Sequence, residues 1–437
     1  MPMQGVISIL IALLGLSVLI LIHEVGHFTA AKLLKVKVLE FAIFMGPKLL
    51  SVKKGETMYS LRLIPMGGFV KLEGEEAESD DDRALSRKPK WVRAVVFFAG
   101  SFMNLLLAFV FFLIVSMNTQ SGTCELSEIP PGSPAAIAGF QTGDVLLKYG
   151  GKTVHSPVDV FLYMMEFRGA ESKVVFRRDG NVLERLHKPE YFAKNYYRLG
   201  FTGREAYGND WNLADKVSKD SPAYLAGIEV GDRIVSVSGV AVNSREELRN
   251  ALALAGGGET TVTIMRADQS FDVRITPEMG DAEENYEFGA GYVYVNASGF
   301  FDVVKYAYYN AISSSKMVLY SLKWLVTGRV GIGQMSGPVG IVTVIGDAVE
   351  KPDNNSVEKL FVVLSFLALI SINLALFNLI PFPALDGSKL LLILVEAIRR
   401  KKIPPEREAT ISFIGFVFLI LLMMVTLFND ISRLVTK

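Results

Sequence analysis

Of the side chains most used to hold metals or to cross-link a chain, these 437 residues contain very few: one cysteine, Cys124, and four histidines, His23, His27, His155 and His187. A single cysteine excludes an intrachain disulfide and any cysteine-rich zinc site. Lysine plus arginine and aspartate plus glutamate each number 45, so the net charge is zero and nothing points to nucleic acid. The glycines of Ser336-Gly337-Pro338-Val339-Gly340 are not followed by Gly-Lys-Ser/Thr, which excludes a phosphate loop; the stretch reads as a turn against a bilayer. The N-terminus lacks a basic start, and its apolar run leads into further helix rather than a small-residue cleavage site, so no cleavable signal is expected. Residues 1–22 contain no charged side chain at all, and from Gly5 onward they are long enough to span a bilayer.

At the end of that run stands His23-Glu24-Val25-Gly26-His27, with the HExxH spacing. On a helix, positions i and i+4 share a face, so the two histidines can grip one metal ion while Glu24, beside them, serves as a base toward water. Ionisable groups at a membrane centre cost roughly 2.5–3.5 kcal/mol each, whereas a bound zinc returns on the order of 10 kcal/mol. The competing reading is an interfacial cap, with the helix leaving the bilayer at His23. His155 and His187 lie in polar sequence and are expected on surfaces, so a third ligand is expected to be a carboxylate.

Half the residues are hydrophobic and the mean hydropathy is positive, which favours a membrane protein with soluble parts. Four spans are read at 5–33, 95–117, 360–385 and 409–428. Lysines and arginines between the first two, from Lys32 to Arg93, and between the last two, from Arg399 to Arg407, place both loops in the cytoplasm. The termini and the long middle region then fall outside. Acidic residues 73–82 read as a solvated cytoplasmic loop rather than a metal site. Residues 300–328 read as an amphipathic helix on the outer surface, because a fifth span there would put the basic loop at 399–407 outside.

The middle region repeats itself. Gly132 to Val145 and Asp220 to Arg233 share Ser-Pro-Ala, Ala-Gly and Gly-Asp at an offset of 88 residues. Each copy predicts a short helix, a Gly-Asp turn, an alternating strand, a second helix and another strand. The pattern resembles PDZ domains of the bacterial protease type, which implies either peptide binding by strand addition or a pair of rigid spacers.

The third span reaches Asn378-Leu379-Ile380-Pro381-Phe382-Pro383-Ala384-Leu385-Asp386-Gly387, where two prolines must break the helix and free backbone groups that need protein or water around them. Spans one and three run in the same direction, so His23, His27 and Asp386 meet at the cytoplasmic side and leave a fourth zinc position for water. A helix cap is the alternative for Asp386.

These two motifs, with Gly46-Pro47, Tyr59-Ser60-Leu61-Arg62, Ile64-Pro65-Met66-Gly67-Gly68 and the Ser336–Gly340 stretch, resemble the site-2 protease family of intramembrane zinc metalloproteases, in particular its bacterial members with two tandem PDZ domains. One departure is Ser388-Lys389, where such proteins often have Gly and then His or Arg. The resemblance implies a multi-pass α-helical membrane protein of the bacterial inner membrane. It has four spanning helices, a membrane-associated β-hairpin or sheet, and two tandem α+β PDZ-like domains. The expected units are 1–117, 118–203, 204–280, 281–357 and 358–437. It implies a zinc endopeptidase with metal ligands His23, His27 and Asp386 and catalytic Glu24. Its substrates are single-span membrane proteins, such as anti-sigma factors, or remnant signal peptides, taken from the lipid after their ectodomains are trimmed. Strands at Val38–Met45 and Met58–Leu63, with Gly67-Gly68 at a turn, form the membrane β-structure whose edge can pair with an unwound substrate. Asn378 either donates to that substrate backbone or makes an ordinary helix–helix hydrogen bond. The non-enzymatic alternative is a membrane-anchored PDZ scaffold for quality control.

Overall fold

The computed structural model describes residues 3–75, 77–192, 197–203, 211–243, 245–279, 285–330 and 356–435. The Ser336–Gly340 turn lies outside them. The chain divides into two compact units, Met1–Ser121 with Asn296–Lys437, and Gly122–Val295.

The first unit is helical. Among the described residues, four stretches are long and apolar enough to cross a membrane: Leu14–Leu33, Lys90–Asn118, Val357–Asn378 and Glu406–Phe428. The first belongs to helix α1, Met3–Leu33, and the second is helix α2, Lys90–Asn118. The two cross closely. A Cβ on Gly26 would lie 2.4 Å from the Ala99 carbonyl oxygen, so only glycine fits there. The third helix stops at Asn378 rather than running to 385. Pro381 and Pro383 cannot continue it, and a second, amphipathic helix starts at Asp386 and runs to Arg399. The sequence reading merged the break into the span and missed this helix. Phe300–Val326 is helical and buries Ala307 and Val318 in a cluster with Ala108 and Phe112 of α2 and Ala368 and Ile372 of the third spanning helix.

Between α1 and α2 lie strands β1, Val38–Lys54, and β2, Thr57–Leu72. Both are longer than expected. Residues 40–43 are flanked on one side by 58–61 and on the other by 68–71, while 50–54 pair with 57–61, so two strands fold into a sheet of four segments. Residues 58–61 run alongside 40–43 whereas 68–71 run against them, so the chain reverses between Ile64 and Gly68, as expected of Gly67-Gly68 at a turn, with Gly67 at φ +66°; the other reversals are at Gly46-Pro47 and Gly55. Ala31, Val36, Val38, Leu72, Val92, Val96, Phe97 and Ile393 form a buried apolar cluster that joins α1, both strands, α2 and the 386–399 helix.

The second unit holds two sheets that obey the 88-residue offset in detail. One contains Ser121–Leu126, Val145–Tyr149, Ser172–Arg178, Asn181–His187 and Tyr292–Val295; the other contains Arg233–Val237, Val240–Ala241, Thr260–Arg266 and Gln269–Ile275. Ser133 and Ser221 each cap a short helix, accepting from the backbone N–H three residues on at 3.2 Å. Buried Asp144 is gripped by both Arg178 nitrogens at 2.7 Å, and buried Asp232 by Arg266 at the same two distances. Such paired, charge-assisted bonds are what let a carboxylate stay buried in a turn. His187, expected on a surface, is wholly buried. It occupies the place of Ile275 in the second copy, stacks on Phe288 at 4.1 Å, and donates from Nε2 to the Phe288 carbonyl at 2.9 Å. His155 is half-buried beside Asp159, 3.3 Å from its carboxylate.

Candidate metal centre

One turn of α1 puts His23 and His27 on the same face, their ring centroids 4.7 Å apart and edge to face. The Nε2 atoms are 3.1 Å from each other, and Asp386 Oδ2 lies 3.1 Å from His23 Nε2 and 3.2 Å from His27 Nε2. Asp386 is the first residue of its helix, brought back to α1 by the broken stretch 379–385. Gly387 permits this return, since a Cβ there would sit 2.3–2.4 Å from the backbone of Leu379 and Ile380. The three ligand atoms thus form a near-equilateral triangle. A tetrahedral zinc with bonds of about 2.0–2.1 Å has edges of about 3.3–3.4 Å, close to the spacing found. Chemistry agrees with size. His27 Nδ1 lies 2.8 Å from the Val96 carbonyl oxygen, an acceptor only, so Nδ1 carries the proton and Nε2 offers its lone pair. Three such atoms converging on one point could hold a metal ion.

Glu24 lines the same cavity, of about 390 Å³, and its Oε2 accepts from the backbone N–H of Val70 at 3.0 Å. Phe69, Val70 and Leu72 form one wall, Val96 and Phe97 of α2 another, and Leu374, Asn378, Ala384 and Leu385 a third. The structure therefore brings together His23, Glu24, His27, Asp386 and Asn378. Gly67 and Gly68 do not line the cavity; they are buried where β2 packs on Ile20 and Leu21 of α1.

Three residues of α2 were not read from the sequence. Val96 supplies the carbonyl to His27, and Asn104 lies 3.3 Å from His23 Nδ1. Between them sits Gly100, where a Cβ would come within 2.5 Å of His27 Nε2 and 2.7 Å of His23 Nε2. The available signal was Ser101 and Asn104, polar residues in an otherwise apolar span, where such residues mark contacts that matter. Lys389 of the departing Ser-Lys pair forms an ion pair with Glu75 of the acidic loop and lies over the Phe97 ring, 4.7 Å from its centroid. Ser388 Oγ donates to the Leu385 carbonyl at 2.7 Å. Elsewhere the acidic loop is paired with Lys37, Arg83 and Arg87.

Residues 11–422 match the sequence profile described as peptidase family M50. The chain belongs to peptidase family M50. A protein named as a zinc metalloprotease in Clostridium perfringens is 31% identical over 424 residues, covering 97% of this chain and 98% of that one. A zinc metalloprotease of Clostridium acetobutylicum is 32% identical and spans 97% of each chain. The regulator of sigma-W protease of Bacillus subtilis is 30% identical, over 95% of this chain and 96% of its own. As a member of this site-2 protease family, the chain is a zinc metalloprotease with zinc as its cofactor.

Proposed function

We propose that this protease hydrolyses peptide bonds within or near the transmembrane segment of single-span proteins in the bacterial inner membrane, with His23, His27 and Asp386 holding zinc and Glu24 as the catalytic base. The observation that carries the reading is the meeting of four polar side chains, from helices separated by more than three hundred residues, in a cavity whose remaining lining is apolar apart from Glu75 and Asn378. Zinc there supplies Lewis acidity toward a carbonyl and makes water acidic near neutral pH. Glu24 takes the proton from the attacking water and returns it to the leaving nitrogen. Val70 N–H holds that carboxylate in place before substrate arrives.

A substrate helix hides its carbonyls and must unwind first. The β2 edge at 69–72 runs along the cavity beside Glu24, which supports docking of an extended substrate as an added strand, with Asn378 donating to its backbone. By the same reading Gly67 and Gly68 position substrate indirectly, by letting β2 approach α1. The basic loops support a site toward the cytoplasm and a 122–295 unit outside.

That unit reads as two PDZ-like domains, the second nested in the first. Residues 285–287 return to pair with 190–192 and Tyr292–Val295 joins the first sheet, enclosing 197–279. A groove of about 670 Å³ lined by Leu199, Phe201, Trp211, Leu248 and Leu252 supports peptide capture over a mere spacer. The domains would admit substrates whose ectodomains are already trimmed, such as an anti-sigma factor or a remnant signal peptide.

The test is Glu24→Gln and Asp386→Ala in the full chain, with a membrane-span reporter. Glu24→Gln is expected to retain zinc yet lose cleavage by at least 10²-fold, the order of a general base's contribution. Asp386→Ala is expected to lose zinc. Cleavage at the parental rate by Glu24→Gln would remove it as base, and a scaffold without catalysis predicts no effect from either.

A further inference from the structure

We infer that Asn104 is a positioning residue for His23: its side-chain oxygen accepts the Nδ1 hydrogen and thereby fixes both the ring orientation and the tautomer that leaves Nε2 free for zinc. The inference rests on the reading of His23 as a zinc ligand.

Three observations carry it. Asn104 is wholly buried in α2, in a span without a charged residue after Arg93, and its side chain contacts His23 Nδ1 at 3.3 Å. Its Oδ1 is buried without a hydrogen-bond partner, while Nδ2 faces a ring nitrogen. With the amide in that orientation, Nδ1 would have to accept and Nε2 would carry the proton, which no metal ligand can do. Half a turn of the amide brings Oδ1 to Nδ1, gives the orphan oxygen a donor and leaves Nε2 its lone pair.

The placement repeats a pattern. Val96, Gly100 and Asn104 stand at i, i+4 and i+8 on α2, one stripe facing the histidines. The Val96 carbonyl orients His27, Gly100 leaves room for both rings, and the Asn104 amide orients His23. Asn104 is itself held, since Ser371 of the third spanning helix donates to its backbone carbonyl at 2.8 Å.

The experiment measures zinc affinity of the purified full chain by chelator competition. Asn104→Leu, which removes the acceptor, is expected to weaken zinc roughly 10–100-fold, as loss of such supporting groups does. Asn104→Asp restores an acceptor at the same place and is expected to recover most of the affinity that Asn104→Leu loses. If Asn104→Leu does not fold, as judged by the thermal midpoint of the metal-free protein, Asn104→Ala takes its place with the same expectation. Parental affinity in the Leu or Ala variant, or an Asp variant as weak as Leu, overturns the assignment. His23→Ala separates the two levels. If it too binds zinc like the parent, the metal centre itself has been misread. If it loses zinc while Asn104→Leu does not, only the role of Asn104 falls.

Discussion

Gly100→Ala adds one methyl group in the middle of α2, and the geometry of the metal centre makes that a severe change. The new carbon would lie 2.5 Å from His27 Nε2 and 2.7 Å from His23 Nε2 and Cε1. Ordinary contact begins at 3.4 Å, so the rings would have to retreat by about 0.7–0.9 Å, several times the roughly 0.2 Å that a zinc–ligand distance tolerates. Neither ring can do so freely, because Val96 O holds His27 at 2.8 Å and Asn104 abuts His23. Zinc affinity is expected to drop by at least roughly 100-fold, about 2.7 kcal/mol, and cleavage with it. Helix propensity acts the other way, alanine being favoured over glycine by roughly 0.8–1 kcal/mol in a helix interior, so unfolding is not the expected route. The assay is metal content and chelator competition on the purified chain, with Phe102→Ala as control, since that side chain is half exposed on α2. Parental zinc affinity in Gly100→Ala would refute the placement of α2 against the two imidazoles, and with it the convergence drawn here.

Arg93 and Glu396 form a nearly inaccessible ion pair at 2.7 Å, and Glu396 also accepts from Ile403 N–H. Arg93→Met strands the carboxylate and is expected to cost about 3–5 kcal/mol, read as a lowered thermal midpoint, whereas adding Glu396→Leu should recover only part of it, since Glu408, 3.9 Å from Arg93, and Ile403 N–H lose these partners too. Burial pushes the His187 imidazole down to about 4, against a smaller upward pull from the Phe288 carbonyl. The unfolded chain, near 6.5, therefore binds more protons between these values, so stability is fully present above about 6.5 and falls as pH drops toward 4. The loss should approach roughly 3 kcal/mol in amide-exchange protection of residues 285–295, and His187→Gln should flatten the slope. Gly26→Ala would press a methyl against the Ala99 carbonyl oxygen at 2.4 Å and is expected to cost about 1–3 kcal/mol of stability, read as a lowered thermal midpoint.

Long-range order was legible where it rests on run length or on repetition. The four apolar helices follow from uninterrupted hydrophobic stretches, and the Asp144–Arg178 and Asp232–Arg266 pairs extend a repeat already visible at Gly132 and Asp220. Local punctuation was less legible. Gly67-Gly68 was legible as a turn, yet composition did not show that the same glycines give β2 room against Ile20 and Leu21 of α1. His187 reads as a polar surface residue from its neighbours, and only its alignment with Ile275 across the offset reveals a core position.

The metal centre divides along the same physical line. HExxH is legible because both proposed ligands and the proposed base fall within about one helical turn, so geometry follows from local spacing alone. Asp386 is legible because prolines inside an apolar stretch announce a helix break that needs a reason. The contribution of α2 is of another kind: a main-chain carbonyl from Val96, an absent side chain at Gly100 and one amide at Asn104. A carbonyl has no sequence identity, and a glycine in a membrane helix is commonplace. Asn104 alone carried a signal, since a polar side chain in hydrocarbon must find a partner. That it finds a histidine ring nitrogen, on the side away from the carboxylate, is what ties the second spanning helix to the chemistry of the first.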